Sequence, residues 1–598
     1  MKKIFFPAMA AMALGLASCS SDSVTPGTNG EPAFSDGGFA KVAIALPTQS
    51  NSNRAANDKF DDGLASEYKV NKATLVLFQG NNETDAKFHS AYNLAVSMEG
   101  YDDTPNQITS TTKIVKRVND GDLPGDKLYA MVILNGGSNV YVGSDNVTDV
   151  HIYGQTMDNT TTIATLQNLK VWDSTNFTSD GILMMNAPLA TNPGGANTKP
   201  ADGTEIHTLV NFTNAVYKTE AEAQSKPATD VYVERAVAKV TMQSKTGTLQ
   251  GTDVKFKDGT ASTIAYSVDG WDLDVTNKVS YLSRNTSTGW NQLTSNGIPG
   301  SNYRFIGSFP VKQNLTNPLY RTYFAQDPNF EGAVDLSQFT YLPADYSSFS
   351  EGADAFGDEH PKYCFENTFN VANQNQDQTT RVVVKVKVGD GHSFYTFNGD
   401  KSTLYLQDKM EARIKAAIMN DADVIAWWKL NGGGATMDAS NITLDLSGRD
   451  ATTGKVLLKS FTLNAAGATP KEFDPATGET SLNARLGLGD IVEYAGGYAY
   501  YPIRIKHFGD DLTPWNETET PKPIAGTIYP TTNRQANYLG RYGVLRNNWY
   551  DIAVSSISGL GDATVPSVTS EPDDELYNYI AVRINILSWA KRQQNADL

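Results

Sequence analysis

Apolar residues recur along this chain in short runs of strand length, and several runs alternate strictly between apolar and polar positions. Val382, Val384, Val386 and Val388 fall on one side of an extended backbone and Val383, Lys385 and Lys387 on the other; Tyr501, Ile503 and Ile505 likewise oppose Arg504 and Lys506. A period of two is the mark of half-buried antiparallel strands. Comparable runs occupy 70–78, 128–134, 182–185, 231–242, 442–446 and 499–508. Asn135-Gly136-Gly137, Asp390-Gly391 and Asn431-Gly432-Gly433-Gly434 punctuate them, as expected where the chain reverses through positive φ. Helical spacing is clearest over 407–419, where Met410, Ile414 and Ile418 recur every fourth residue among charged neighbours, which predicts a helix laid on a sheet. The pattern predicts a mainly β protein with few short helices.

Both ends carry an apolar strand. Near the start, Val42, Ile44 and Leu46 share one face of 39–46; near the finish, Ile580, Val582, Ile584 and Ile586 share one face of 580–587. The plain reading of the last strand is that it closes its own sandwich.

What precedes the first strand reads as an export signal. Lys2 and Lys3 lead an apolar run from Ile4 to Leu16, which meets Leu16-Ala17-Ser18-Cys19, a lipobox. The run is too short to span a bilayer, so residues 1–18 are expected to be removed and Cys19 to carry a lipid. A Ser-, Gly- and Pro-rich tether follows from Cys19, then the strand, a polar stretch and Arg54-Ala55. A strand, a soft linker and a lone arginine predict a protease site, with 19–54 as tether and removable propeptide. If the strand fills a groove, cutting after Arg54 and releasing it uncovers three or four aliphatic side chains, roughly 5–10 kcal/mol of burial as an upper estimate. A donated strand supplies the same side chains and ladder hydrogen bonds. Farther along, the polar stretch 219–229 sets the expected boundary between domains 55–228 and 229–598.

Composition narrows the function classes. With 598 residues and 40% hydrophobic content the chain can bury more than one core. Its formal charge of −17 repels phosphate backbones and anionic lipid, so nucleic acid is not an expected partner and the membrane is met only through the lipid on the precursor. Two cysteines, Cys19 and Cys364, leave no disulfide framework once the first is lipidated.

Candidate chemistry is sparse. The six histidines show no i, i+4 pair, and neither a Gly-x-Ser-x-Gly elbow nor a phosphate loop occurs. Asp390-Gly391-His392 reads as a turn rather than a catalytic pair. The loop 327–338 places oxygen groups at positions 1, 3, 5 and 9 with Gly332 at 6, but Gln338 stands where a calcium loop carries its bidentate Glu, so the preferred reading is a polar surface loop. Glu571, Asp573, Asp574 and Glu575 read as a solvated charge run, and Trp427, Trp428 and Tyr498 to Tyr501 as packing aromatics. No catalytic residue, metal or cofactor is assigned, and the expectation is that this is not an enzyme.

The order of these segments resembles the Bacteroidales fimbrillins, closest in pattern to the minor-fimbria major-subunit (Mfa) family. The resemblance is carried by the lipobox, the Arg54-Ala55 junction, the runs at 129–135, 181–186 and 545–550, and above all Val231-Tyr232-Val233-Glu234-Arg235-Ala236-Val237-Ala238-Lys239-Val240, which looks like the strand opening that family's second domain. It implies two transthyretin-like β-sandwich domains, lipoprotein export to the outer membrane, cleavage at Arg54-Ala55 by an Arg-specific or trypsin-like protease, and donation of the C-terminal strand to a neighbour in a surface fimbria. A shaft role, supporting adhesion, is the expectation. The implied partners are other copies of the chain, accessory fimbrial subunits, the processing protease and host or bacterial surface receptors. A surface glycan-binding outer-membrane lipoprotein of a carbohydrate uptake system is the alternative; it predicts that 20–54 are retained and that aromatics form an exposed platform.

Overall fold

The computed structural model describes residues 37–45, 64–96, 107–114, 123–172, 181–192, 205–249, 254–257, 264–286, 306–311, 317–322, 325, 327–368, 373–432, 434–475, 481–507, 542–570 and 580–587. The alternating runs become strands wherever a partner strand covers their polar backbone and a second layer covers their apolar face. In the first half these are β1 (Gly38–Ala45), β2 (Ala73–Gly80), β3 (Lys87–Leu94), β4 (Gln107–Ile114), β5 (Lys127–Leu134), β6 (Met184–Asn186), β7 (Val216–Tyr217) and β8 (Thr229–Arg235). In the second they are β9 (Val237–Gln243), β10 (Ala265–Asp274), β11 (Lys362–Phe365), β12 (Arg381–Val388), β13 (Tyr498–Arg504), β14 (Trp549–Ile557) and β15 (Ile580–Leu587). The protein is mainly β, with few and mostly short helices.

β8 organises the first half. Its residues 229–232 run parallel to β1, while residues 233–235 pair with β6, which continues through β5 and β2 to β3. β1 is bounded on its other edge by β4 along its whole length, and near its start it shares the β8 edge with β7. The change of partner along β8 accompanies one buried core that holds Ala40, Val42 and Ile44 together with Leu75, Leu77, Leu128, Ala130 and Val132. The opposite face of β2 and β5 packs under the segment 140–171.

The run predicted as one strand over 231–242 is interrupted at Ala236, whose amide donates to Leu183 O. β8 pairs within the first half; β9 pairs with β11 and runs parallel to β14, with β15 at the end of that sheet. The sheet of β10, β12 and β13 closes over it, and the core between holds Val240, Trp271, Val382, Val384, Val386, Tyr501, Ile503 and Ile552. The second face of β12 is drier than alternation predicts, because Phe349 and Val565 cover Val383.

Residues 389–497 leave this sheet between β12 and β13 and form a module with its own core. It contains α-helices Gln407–Met419, on the predicted bounds and with Met410, Ile414 and Ile418 buried, and Ala422–Asn431, capped by Asp421.

A buried ion pair joins the two halves, and a second lies within the second half. Arg284 grips Glu234 through two hydrogen bonds of 3.0 Å, and Arg546 Nε donates to Glu366 at 2.8 Å. Each charge at such depth survives only because its partner and, for the arginines, nearby backbone carbonyls replace the lost water.

Candidate functional site

The site is the place of β1 in the first half. Of the side chains predicted on its inner face, Val42 and Ile44 are fully buried, joined by Ala40; Leu46 lies outside the described residues. Both edges of β1 are paired. Along its whole length it is antiparallel to β4, from Gly38 opposite Ile114 to Ala45 opposite Gln107, and on the other edge it meets β7 at Phe39 and Ala40 and β8 from Val42 to Ala45. Taking β1 away therefore opens a slot with ladder groups on both walls and aliphatic side chains at its floor, and unpaired backbone in such a slot is costly.

Two features of β1 go beyond its alternation of apolar and polar positions. Its outer face is covered too: α-helix Glu220–Ser225 lies against it, Lys41 Nζ donates to Gln224 O at 3.1 Å at the end of that helix, and Ala43 is only 2% exposed. A cation over helix-terminal carbonyls is favourable. At the start of the strand Gly38 is there for space, since a Cβ would stand 2.5 Å from Tyr217 O and 2.8 Å from Val216 Cγ1. The small residues at 38, 40 and 43 were the available signal.

After Ala45 the described chain resumes at Leu64, so the predicted cut, Arg54-Ala55, and the predicted lipid site, Cys19, lie outside the described residues. The chain is then pinned at once by α-helix Ala65–Tyr68. Glu67, 1% exposed, accepts from Lys239 Nζ at 2.9 Å, from Tyr363 Oη at 2.6 Å and from its own turn at Leu64 N, while Arg235 Nε donates to Glu67 O. Burial and the Glu67 carboxylate push the Tyr363 hydroxyl well above its ordinary value. Lys239 and Tyr363 face each other on β9 and β11, so this anchor belongs to the second half. No local sequence pattern reports it.

β15 is held differently. It pairs antiparallel with β14, setting Ile580 opposite Ile557, Val582 opposite Val554, Ile584 opposite Ile552 and Ile586 opposite Tyr550, and β14 is its one strand partner among the described residues. β1 is a strand enclosed on two edges; β15 is an edge strand.

The other candidates take structural places. Asp327 is buried, caps the turn Pro328–Phe330 and accepts from Asn277, Asn329 and Thr368, with burial pushing its carboxyl up to about 8. Asp335, exposed, caps a separate turn, so these oxygens do not converge on one point. Among the described residues no group of three or more His, Cys, Asp and Glu is placed to hold a metal, and no helix is long and apolar enough to cross a membrane. Asp390 and His392 sit in an exposed turn after β12. Trp428 and Tyr501 are buried and donate to Ala435 O and Gly559 O, and Trp427 packs edge-on to Phe473. The acidic run 571–575 lies outside the described residues. Cys364 is buried, and burial pushes its thiol up to about 12.

Residues 527–595, which include β14 and β15, match the family model for the major fimbrial subunit protein type IV, fimbrillin, C-terminal region. No curated protein matches the chain. Among solved structures it is similar to a candidate cell adhesion protein from Parabacteroides distasonis, at 10% identity over 94% of this chain and 99% of that one with a TM-score of 0.35. It is similar also to a candidate cell adhesion protein from Bacteroides eggerthii, at 11% identity over 93% and 98% with a TM-score of 0.32. A third is the C-terminally truncated tip fimbrial protein of Porphyromonas gingivalis, at 9% identity over 92% and 100% with a TM-score of 0.29.

Proposed function

We propose that this chain is a structural subunit of a cell-surface fimbria, exported as a lipoprotein through Cys19, cut at Arg54-Ala55 and polymerised by replacing β1 with β15 of a second copy. The observation that carries the reading is the contrast between the two terminal strands. β1 occupies a two-walled slot with Ala40, Val42 and Ile44 on its floor and precedes the Arg54-Ala55 junction; β15 is apolar, terminal and held along one edge. The fimbrillin C-terminal match over 527–595 spans the proposed donor.

The physics of the exchange follows from these two positions. While the chain is intact, β1 is a covalent part of its own sandwich and competes for the slot at a high effective concentration. Cleavage turns it into a separate fragment that, once lost, does not return. A strand from a second copy then recovers the buried area and the ladder hydrogen bonds. The β15 donor leaves β14 as the edge of its own sheet, a cost that occupation of the neighbour's slot must exceed. A terminal donor in every copy suits a shaft, in which each subunit both gives and receives a strand.

The test is the N-terminal residue of filaments purified from the cell surface. A start at Ala55 is expected, and lipidated Cys19 on all assembled material overturns the reading.

A further inference from the structure

The slot left by β1 is selective for the direction of the strand that refills it, an inference that rests on the function proposed above. Its floor needs aliphatic residues at the places of Ala40, Val42 and Ile44, which are fully buried. Its roof adds two demands. At the place of Ala43, 2% exposed, a long polar side chain would have to be buried; at the place of Lys41, a cation meets the carbonyls of Gln224 and Lys226 at the end of α-helix Glu220–Ser225.

Because side chains alternate, the strand 580–587 can keep aliphatic residues on all three floor positions in only four alignments. Running in the same direction as β1, it brings either Arg583 or Asn585 to the place of Ala43. Running in the opposite direction, one alignment again brings Arg583 there. In the other, Ile580, Ala581, Val582 and Arg583 take the places of Ile44, Ala43, Val42 and Lys41. Read backwards, Lys41-Val42-Ala43-Ile44 is Ile-Ala-Val-Lys, and 580–583 is Ile-Ala-Val-Arg. A buried arginine or asparagine lacking a partner is strongly unfavourable, whereas this alignment reproduces each side chain in kind.

We propose that the strand of the second copy enters the slot antiparallel to the direction of β1, with Ala581 in the place of Ala43 and Arg583 in that of Lys41. The ladders do not oppose this. β1 is antiparallel to β4 and parallel to β8, so reversal exchanges one kind of pairing for the other on the two walls. Misfit is confined to the far end. Ile584 overfills the place of Ala40, and Ile586 reaches that of Gly38, where Tyr217 O leaves no room for a Cβ. The short strand β7 must therefore part from the slot when the donor is seated.

The test uses filaments assembled from the full chain after cleavage. In the slot Ala43 lies opposite Thr109, so the double variant Thr109→Cys with Ala581→Cys is expected to yield oxidised ladders of linked copies on denaturing gels. Thr109→Cys combined with Asn585→Cys or with Arg583→Cys is expected to yield none. Cys364, buried with its thiol pushed up to about 12, does not compete. Ladders from either of the latter pairs but not the first overturn the register, as do filaments with no ladder from any pair. Ala581→Arg is expected to lower filament yield at least ~10-fold with cleavage unchanged, and Ala581→Ser to assemble. In its own sheet residue 581 is opposite the half-exposed Ser556, so the folded monomer tolerates arginine there. Normal assembly of Ala581→Arg also overturns the proposal. Normal filaments from a chain ending before Ile580 instead remove the donor reading itself.

Discussion

Lys239 donates to Glu67 across 2.9 Å with both side chains sealed from water, and the same ammonium stands 3.8 Å from the ring centroid of Trp549. Glu67 lies just beyond the proposed cut in sequence, Lys239 on β9 and Trp549 at the start of β14. One contact therefore ties the segment just past the proposed cut to the sheet that carries β15, and it would hold residues from Leu64 onward in place if β1 were lost.

Removing one member of this pair strands the other charge. Glu67→Leu or Lys239→Met alone is expected to cost about 3–5 kcal/mol, whereas the double variant, which leaves no orphan charge, should lose much less than the sum. Denaturant midpoints of the three variants, combined as a double-mutant cycle, measure the coupling.

Ile44 is fully buried in the floor of the slot. Ile44→Ala should weaken the hold on β1 by about 2–5 kcal/mol, since the cavity only partly collapses. After cleavage at Arg54, the N-terminal fragment should leave the variant at least ~10-fold faster than the parent, as read by co-elution of fragment and body. Equal retention would show that the floor contributes little.

A chain ending before Ile580 should be cut at Arg54 normally and remain monomeric, because the slot is made but no copy supplies a strand to another. Light scattering after protease treatment separates this outcome from assembly. Mixing with full-length chain should restore short filaments, each capped where a truncated copy has nothing to donate.

His207 reports on pH. Its Nδ1 is 3.0 Å from Glu83, whose other oxygen accepts from Thr208 N and Leu209 N, and that hydrogen bond raises the imidazolium pKa above its ordinary 6.5. A raised folded pKa means the stabilisation is complete below about 6.5 and disappears as pH rises through the folded value. With the His207 side chain 42% exposed, the effect stays within about 1 kcal/mol. Amide exchange at Leu209, compared with His207→Asn at each pH, should show protection in acid that vanishes in alkali; a pH-independent difference would refute it.

The alternation of Val382 to Val388, the spacing of Met410, Ile414 and Ile418, and the apolar faces at both chain ends are local properties, set by which neighbours along the chain share a side. They were legible because a strand or helix of that pattern has one productive way to lie on a core. Beyond reach of any local pattern were the break at Ala236, the roof over Lys41 and Ala43, and the ion pairs, since Glu366 finds Arg546 and Glu67 finds Lys239 only after distant segments fold together. Sequence alone determined that the chain is a β protein with an apolar strand at each end. Only the tertiary structure decided that one of these strands is enclosed on two edges and the other, among the described residues, paired on one, because edge and interior are properties of a sheet, and a strand acquires them from its neighbours.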